Sequence, residues 1–349
     1  MKLLRGILGR LALLALGCFV AVAASEAAFS LLLSAPAALA HLPANTLSHL
    51  EAYYLQHDRS LLQALPECAR YDRGLFYTLK PGECRFRNRE FDTPLRVNSA
   101  GVRDDEASLQ APEVIVLGDS FAMGWGVQQD ESFPEVLEQR LGRKVLNTGV
   151  PSYGTVREML LLDRIDTSRL SCLVIQYDDN DNEENWRFFH NGNLLPIGPA
   201  RQYEQDLLRN ERRRRYWFPK ITFEIVRGVY RPLSLPEPPE GGPRKEARLF
   251  LNAVLHAGHT DLRGVQLIVL QISPDKIVSP AFNAALMKEI ARGDQPDFVQ
   301  RIEGVDLTGT LEAGDYFALD DHIQASGHRK VAAVLAGVVQ AALSAPPAP

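Results

Sequence analysis

The sequence of 349 residues lacks the signatures of several large functional classes. It contains no glycine-rich dinucleotide-binding loop, no Walker-type phosphate-binding sequence and no internal repeat, so no nucleotide cofactor is predicted. Basic residues are not in excess, since 38 Lys and Arg stand against 43 Asp and Glu, for a net charge of -5. Nucleic acid is therefore not predicted as a partner.

A metal-binding motif is also lacking, and cysteines are few. His256 and His259 have i,i+3 spacing, but no cysteine or carboxylate partner is evident, so neither a metal site nor any other cofactor is predicted. Of only four cysteines, Cys68 and Cys84 flank a loop that contains Pro81 and Gly82. This spacing is compatible with a disulfide in an oxidising compartment, and the alternative is a pair of buried thiols.

Charge is absent from a long stretch near the N-terminus. Three basic residues precede an uncharged run from Leu11 to Ser25, and after Glu26 a second apolar run extends to Ala40. Basic residues before an apolar span predict a cytoplasmic N-terminus and an exported body. Small residues at 21–23 allow a cleaved signal peptide. Alternatively, residues 11–33 form an uncleaved membrane helix, which the second apolar run favours.

The rest of the chain has enough apolar residues, 46% overall, for a sizeable core. From Glu113 onward, strand-like segments alternate with helix-like ones, a pattern typical of a parallel sheet with helices on both faces. We therefore predict an α/β fold, a flavodoxin-like three-layer α/β/α sandwich. The predicted strands are 113–117, 144–147, 172–177, 266–272 and 304–307, and the predicted helices are 131–141, 155–165, 245–258, 280–292 and 326–343.

Four regions are predicted along the chain. An insertion within the third region carries the run Arg212–Arg215 and several aromatic residues. It is well placed to be a lid or substrate-binding surface, although a solvated helix face is the simpler interpretation. The regions are a membrane anchor or signal segment (1–40), a juxtamembrane region with short strands near 75–79, 84–88 and 95–98 (41–110), the α/β domain (111–343, insertion about 183–244) and a disordered tail (344–349).

Two short motifs predict nucleophilic chemistry. Gly118-Asp119-Ser120 ends an apolar strand, and Asp320-Asp321-His322 follows about two hundred residues later. A serine needs a base and a residue that orients the base, and His322 and Asp320 can supply both functions. On an extended backbone Asp320 lies on the same side as His322, whereas Asp321 points away. The alternative for Ser120 is an ordinary helix N-cap.

Two further segments provide donors for an oxyanion. Gly149 and Asn180 each follow a predicted strand, and the carboxyl ends of parallel strands share one edge of a sheet. The backbone N–H groups of Ser120 and Gly149 and the side-chain amide of Asn180 are therefore predicted to form an oxyanion hole. The candidate substrate-binding residues are Trp125, Tyr153 and Asp178.

Together these four motifs resemble the SGNH (GDSL-type) hydrolase superfamily, which is named for Ser, Gly, Asn and His. Ser120, Gly149, Asn180 and His322 match the four positions in order, over roughly residues 95 to 342. The segment at residues 98–103, upstream of the Gly118-Asp119-Ser120 motif, looks like the corresponding segment of membrane-anchored bacterial members. The resemblance implies a single-pass protein of the bacterial inner membrane, whose catalytic domain lies in the periplasm or extracytoplasmic space.

Two departures from the family pattern bear on function. Asp178 stands where the third motif usually has glycine, and Leu319 stands where many members place the triad aspartate. The spacing of Asp320 instead resembles the acetyltransferase-like branch that includes alginate-acetylation proteins. The resemblance thus implies an esterase that removes O-acyl groups from cell-envelope glycans or lipids. The alternatives are an O-acetyltransferase that modifies an exopolysaccharide and, because of Asp178, a non-catalytic glycan-binding scaffold.

Overall fold

The computed structural model describes residues 2–39, 41–230, 242–274, 276 and 279–344. These residues belong to two compact units: a smaller one within 1–59, 209–236 and 318–320, and a larger one within 60–208, 237–317 and 321–349. The predicted disordered tail lies outside the described residues except for Ser344, which ends the last helix.

The helices and strands of the described residues are numbered here in chain order. The helices are α1 Lys2–Leu33, α2 Pro36–Leu39, α3 Ala44–Tyr53 (continued by a π-helical turn, Tyr54–Asp58), α4 Ser120–Met123, α5 Phe133–Leu141, α6 Thr155–Leu162, α7 Asp181–His190, α8 Ala200–Arg214, α9 Lys220–Tyr230, α10 Gly242–His256, α11 Ala281–Ile290, α12 Asp297–Gln300 and α13 Ala325–Ser344. The strands are β1 Ala69–Asp72, β2 Phe76–Leu79, β3 Gly82–Arg87, β4 Asp92–Val97, β5 Val114–Leu117, β6 Val145–Asn147, β7 Cys172–Tyr177, β8 Gln266–Gln271 and β9 Glu303–Val305.

A five-stranded parallel sheet forms the centre of the larger unit. Its spatial order is β6-β5-β7-β8-β9, and every neighbouring pair is parallel. Numbered within the sheet, this is the order 2-1-3-4-5 of flavodoxin-like folds. The predicted fold class is therefore confirmed.

Helices cover both faces of this sheet because successive strand residues point to opposite sides. On β5, Ile115 and Leu117 join a core with side chains of α6, α10 and α11, whereas Val114 and Val116 join a second core with α5 and α13. Each fully buried aliphatic side chain stabilises the fold by roughly 1.5–3 kcal/mol. Packing of the two cores against the sheet fixes where the strands end, and the ends of the strands position the loops that follow.

Residues 60–97, predicted as part of a juxtamembrane region, contribute to the core of the larger unit. β1 pairs with β2 and β3 with β4, both antiparallel, and Phe86 and Leu95 are buried in the core. Cys68 and Cys84, the predicted pair, are joined by a disulfide with Cα atoms 5.5 Å apart. Strand β1 was not predicted, since its sequence is short and mostly polar.

The smaller unit is built from α1, α2, α3 and α9. Its core includes Leu33, Leu50, Tyr54 and Ile221. Within α1, Leu4–Leu33 contains an 18-residue stretch with a mean hydropathy of 2.3 and is long and apolar enough to cross a membrane, a test that a signal sequence also passes. A helix of this length extends about 45 Å, compared with a hydrocarbon core of about 30 Å.

Candidate active site

A tight turn between β5 and α4 positions Ser120. The Asp119 carboxylate accepts the backbone N–H of Phe121 at 2.9 Å, so Asp119, and not Ser120, is the N-cap of α4. A side chain at position 118 would approach Gln176 Oε1 to 2.5 Å, which restricts this position to glycine. The serine hydroxyl is thus placed at the carboxyl edge of the sheet, next to the point where the strand order reverses.

Gln176 on β7 supports this turn from the neighbouring strand. Its Oε1 accepts the backbone N–H groups of Asp119 at 3.1 Å and Ala122 at 3.2 Å, and the side chain is buried. No motif in the sequence indicates this residue. The available signal was a single amide within an otherwise apolar strand, since a buried polar side chain needs a partner.

His322 lies beside the serine in the position of a general base. Its Nε2 is 2.7 Å from Ser120 Oγ, and both side chains are buried. The Trp125 ring stacks on the imidazole at a centroid distance of 4.7 Å and an interplanar angle of 14°, and Phe121 contacts it at 4.8 Å. These aromatic contacts restrict the rotation of the imidazole and keep Nε2 directed at the hydroxyl.

The second ring nitrogen of His322 has a carboxylate next to it. Asp321 Oδ1 lies 2.9 Å from His322 Nδ1, so the prediction that Asp321 points away from the imidazole is wrong. That prediction assumed an extended backbone, but residues 318–322 form a bend. The bend is closed by a hydrogen bond of 3.0 Å from the N–H of Phe317 to the carbonyl of His322.

Asp320 belongs to the smaller unit and is completely buried there. The Tyr54 hydroxyl donates a hydrogen bond of 2.7 Å to Asp320 Oδ2, and Arg59 Nη1 lies 3.7 Å from Oδ1. Two carboxylates are thus candidates for the residue that orients His322. The assignment of this function to Asp320 remains a prediction from the sequence.

Two of the predicted oxyanion donors are bonded to oxygen atoms of the protein. The Gly149 N–H donates to Asn147 Oδ1 at 3.0 Å. The Asn180 amide donates to Asp119 Oδ2 at 3.1 Å and also to the Asp178 carboxylate. The Ser120 N–H lies in the first turn of α4, where N–H groups have no acceptor within the helix. An oxyanion would thus replace existing acceptors at Gly149 and Asn180, and Asn180 is exposed enough to turn.

The three candidate substrate-binding residues are buried. Trp125, Tyr153 and Asp178 are at most 2% exposed. The Tyr153 hydroxyl donates to the carbonyl of Tyr77, and the Arg157 guanidinium lies 4.6 Å from the Tyr153 ring centre. Burial with satisfied partners argues against direct substrate contact by these residues in this conformation. Trp125 supports the imidazole instead.

The carboxyl groups of Asp119 and Asp178 have perturbed acidities. Burial raises the pKa of Asp119, and the nearby His322 opposes this shift. Burial, and then the negative charge of Asp119, raises the pKa of Asp178 well above its usual value. Both carboxyl groups accept hydrogen bonds from the same Asn180 amide and therefore lie close together, and two like charges at such a separation disfavour ionisation of both.

The loop after α4 is held by a buried arginine. The Arg103 guanidinium donates hydrogen bonds to the carbonyls of Met123 at 3.1 Å, Gly124 at 2.5 Å and Val127 at 2.8 Å. Burial lowers the pKa of Arg103 to about 10. Residues 98–103, which the sequence analysis singled out, thus end in a side chain that fixes the helix carrying the serine.

Gly149 is predicted to be intolerant of any side chain. A Cβ at this position would collide with backbone atoms of Ala122 and Met123 in α4. We expect Gly149→Ala to lower the free energy of unfolding by about 1–3 kcal/mol, the usual cost of overpacking, and to reduce activity because α4 carries Ser120. Chemical denaturation measures the first effect. Gly264→Ala is the control, since its Cβ would meet nothing within 4 Å, and equal losses in both variants would contradict the close approach.

Comparisons with known proteins give structural matches only. No protein-family model matches the chain, and no curated protein does. A lipolytic protein of the G-D-S-L family from Desulfitobacterium hafniense matches with 13% identity over 64% of this chain and 98% of its own, at a TM-score of 0.33. A GDSL-like lipase from Bacteroides ovatus matches with 12% identity over 68% and 55%, at a TM-score of 0.37.

A third match is a carbohydrate esterase family 2 enzyme with a carbohydrate-binding domain, from Corynascus thermopiles. Its identity is 14%, its coverage is 66% of both chains and its TM-score is 0.34. The structural neighbours are thus lipases and esterases of the GDSL type together with a carbohydrate esterase. Similarity at this level does not define a function, and function is inferred from the geometry around Ser120.

Proposed function

We propose that the protein is a serine-dependent ester hydrolase that removes O-acyl groups from cell-envelope glycans or lipids. The observation that carries this proposal is the 2.7 Å contact between Ser120 Oγ and His322 Nε2 at the carboxyl edge of the sheet. The Asp321 carboxylate lies 2.9 Å from Nδ1 of the same imidazole, so a nucleophile, a base and an anionic partner of the base are all present. This combination activates a hydroxyl that is otherwise a poor nucleophile near neutral pH.

In the proposed mechanism, Ser120 Oγ attacks the ester carbonyl while His322 Nε2 accepts the hydroxyl proton. Asp320, the carboxylate that the sequence predicts for this function, orients the imidazole and stabilises the resulting imidazolium, and the Asp321 carboxylate beside Nδ1 adds to this stabilisation. The Ser120 N–H, the Gly149 N–H and the Asn180 amide donate to the oxyanion, and loss of one such donor typically costs roughly a hundredfold or more in turnover. His322 then protonates the leaving alcohol. Water, activated by the same imidazole, hydrolyses the acyl-serine and regenerates the hydroxyl.

The proposed location is the outer face of a bacterial inner membrane, with α1 as a single-pass anchor. Two observations support it. Basic residues precede the apolar part of α1, as in segments whose N-terminus stays in the cytoplasm. The disulfide between Cys68 and Cys84 is typical of a protein in an oxidising compartment.

A second candidate function is O-acyl transfer to a sugar hydroxyl. Both reactions pass through the same acyl-serine, and they differ only in whether water or a glycan hydroxyl attacks it. The Asp-x-His spacing of Asp320 and His322 favours this candidate. One contact favours a third candidate, a non-catalytic scaffold. The Asn180 amide, a predicted oxyanion donor, already donates a hydrogen bond to the Asp178 carboxylate.

One experiment separates these functions. The purified full-length protein in detergent is incubated with p-nitrophenyl acetate, with and without an acceptor oligosaccharide, and acetic acid and acetylated oligosaccharide are both quantified. We expect release of acetic acid that the acceptor leaves unchanged. Acetylated oligosaccharide formed at the expense of acid would establish transfer. Neither product from a correctly folded protein would support the scaffold and refute catalysis.

A further inference from the structure

Helix α9 in the smaller unit is apolar on two opposite faces. On one face Ile221 and Ile225 are buried in the core of the unit. On the other, Phe223, Val226 and Tyr230 follow helical spacing and are exposed by 49%, 47% and 81%. A surface helix in water normally carries polar residues on its outer face. The second face of α9 thus requires an apolar environment.

The segment before α9 extends this face. Tyr216, Trp217 and Phe218 are all exposed, and Trp217 contacts Phe223 with ring centroids 5.4 Å apart. Exposed apolar patches of this kind mark sites of interaction, and Trp and Tyr concentrate at the boundary between lipid and water. The exposed apolar residues of this segment and of the outer face of α9 form one surface. We call it the α9 apolar surface, and it consists of Tyr216, Trp217, Phe218, Phe223, Val226, Val229 and Tyr230.

The α9 apolar surface is joined to the candidate membrane helix. The Glu26 carboxylate on α1 accepts the N–H groups of Ile221 at 3.2 Å and Thr222 at 2.8 Å, in the first turn of α9, where N–H groups lack acceptors within the helix. It also accepts the Tyr216 hydroxyl at 2.9 Å. These three hydrogen bonds explain an acidic residue in an otherwise apolar segment, because Glu26 caps α9 and fixes it to α1.

The length of α1 places this junction near a bilayer surface. About 20 residues suffice to cross the hydrocarbon core, so a span that begins at Leu11, after the last basic residue, ends near Ser30 and places Glu26 in its outer turns. Arg214 and Arg215, both exposed, directly precede the α9 apolar surface. Cationic side chains beside an apolar helix face are the pattern of helices that lie in the interface of a bilayer with anionic headgroups.

We propose that the α9 apolar surface inserts into the headgroup and upper acyl region of the bilayer and forms a second membrane contact beside α1. This inference depends on α1 being a membrane anchor, as proposed above. Lipid satisfies the outer face of α9, the anionic headgroups pair with Arg214 and Arg215, and Glu26 holds the two helices together. The smaller unit, which contains Asp320, is thereby held against the lipid surface.

Tryptophan quenching by brominated lipid tests this proposal in the full-length protein. Trp186→Phe removes one exposed tryptophan, which leaves exposed Trp217 and buried Trp125. The protein is reconstituted in phosphatidylcholine–phosphatidylglycerol bilayers with normal or brominated acyl chains. We expect bromination to remove most of the Trp217 emission, and that emission to be shifted to the blue relative to the exposed indole in water.

Matched variants show whether the quenching reports the α9 apolar surface. Phe223→Ser combined with Val226→Ser should restore much of the emission, whereas Phe189→Ser, which removes an equally exposed aromatic ring on α7, should leave the quenching unchanged. Unquenched Trp217 in protein that floats with the bilayers would overturn this proposal alone. Protein that stays out of the bilayers would overturn the anchor as well. Shielded but unquenched Trp217 in a dimer would assign the surface to a second copy of the chain.

Discussion

Replacement of Ser120 by alanine is expected to abolish ester hydrolysis and to leave the fold intact. The substitution removes the oxygen that lies 2.7 Å from His322 Nε2, and with it the covalent route through an acyl-serine. Removing the nucleophile of a serine hydrolase costs up to about a millionfold in kcat. Only one hydroxyl and its hydrogen bond are lost from the folded state, so the change in unfolding free energy should stay near 1 kcal/mol.

Release of p-nitrophenol and the thermal midpoint are measured on the same detergent preparations. Ser108→Ala is the matched control, because Ser108 is also buried and its hydroxyl also makes a side-chain hydrogen bond, to the Asp105 carboxylate at 2.9 Å. It should retain full activity. His322→Gln should lose about as much as Ser120→Ala, and the double variant no more, since residues that act as a unit are not additive. Full activity in Ser120→Ala would end the proposal that Ser120 is the nucleophile.

The larger unit was predictable because its elements carry strong local signals. The strand β7 is an apolar run, Cys172–Tyr177, whose predicted bounds match the structure, and β5 differs by one residue. Alternation of such strands with helices leaves a parallel sheet as the favoured arrangement. Apart from α1, the smaller unit carried no comparable signal. Helices α3 and α9 are separated by more than 150 residues of sequence, and neither has a local pattern that indicates the other as its partner.

The candidate site was predictable to the level of its motifs but not of its contacts. The motifs that contain Ser120 and His322 predicted a serine and its base, and the structure places Ser120 Oγ 2.7 Å from His322 Nε2. The contact of Asp321 depends on the bend at 318–322, and the function of Gln176 depends on the neighbouring strand. Neither backbone bend nor cross-strand contact is encoded in a short motif, so both required the tertiary structure.

The second large effect is expected at Asp320. Its carboxylate is 0% exposed and fixed by the Tyr54 hydroxyl, whereas the Asp321 side chain is 22% exposed. The Asp-x-His spacing in the sequence is the basis for assigning the orienting carboxylate to Asp320. We therefore expect Asp320→Asn to lower kcat by about ten thousandfold, as loss of the orienting carboxylate does in other triads.

Asp321→Asn should lower kcat less than Asp320→Asn does. The loss should still exceed that expected for a residue that faces away from the imidazole. Asparagine removes the negative charge 2.9 Å from His322 Nδ1, and partial exposure to water weakens such an interaction, so we expect a loss of about tenfold. The kcat of both variants is measured with p-nitrophenyl acetate, and Tyr54→Phe tests the fixation of Asp320 separately. A much greater loss in Asp321→Asn than in Asp320→Asn would assign the orienting carboxylate to Asp321, because the bend then presents the adjacent residue, rather than the one before it, to the imidazole.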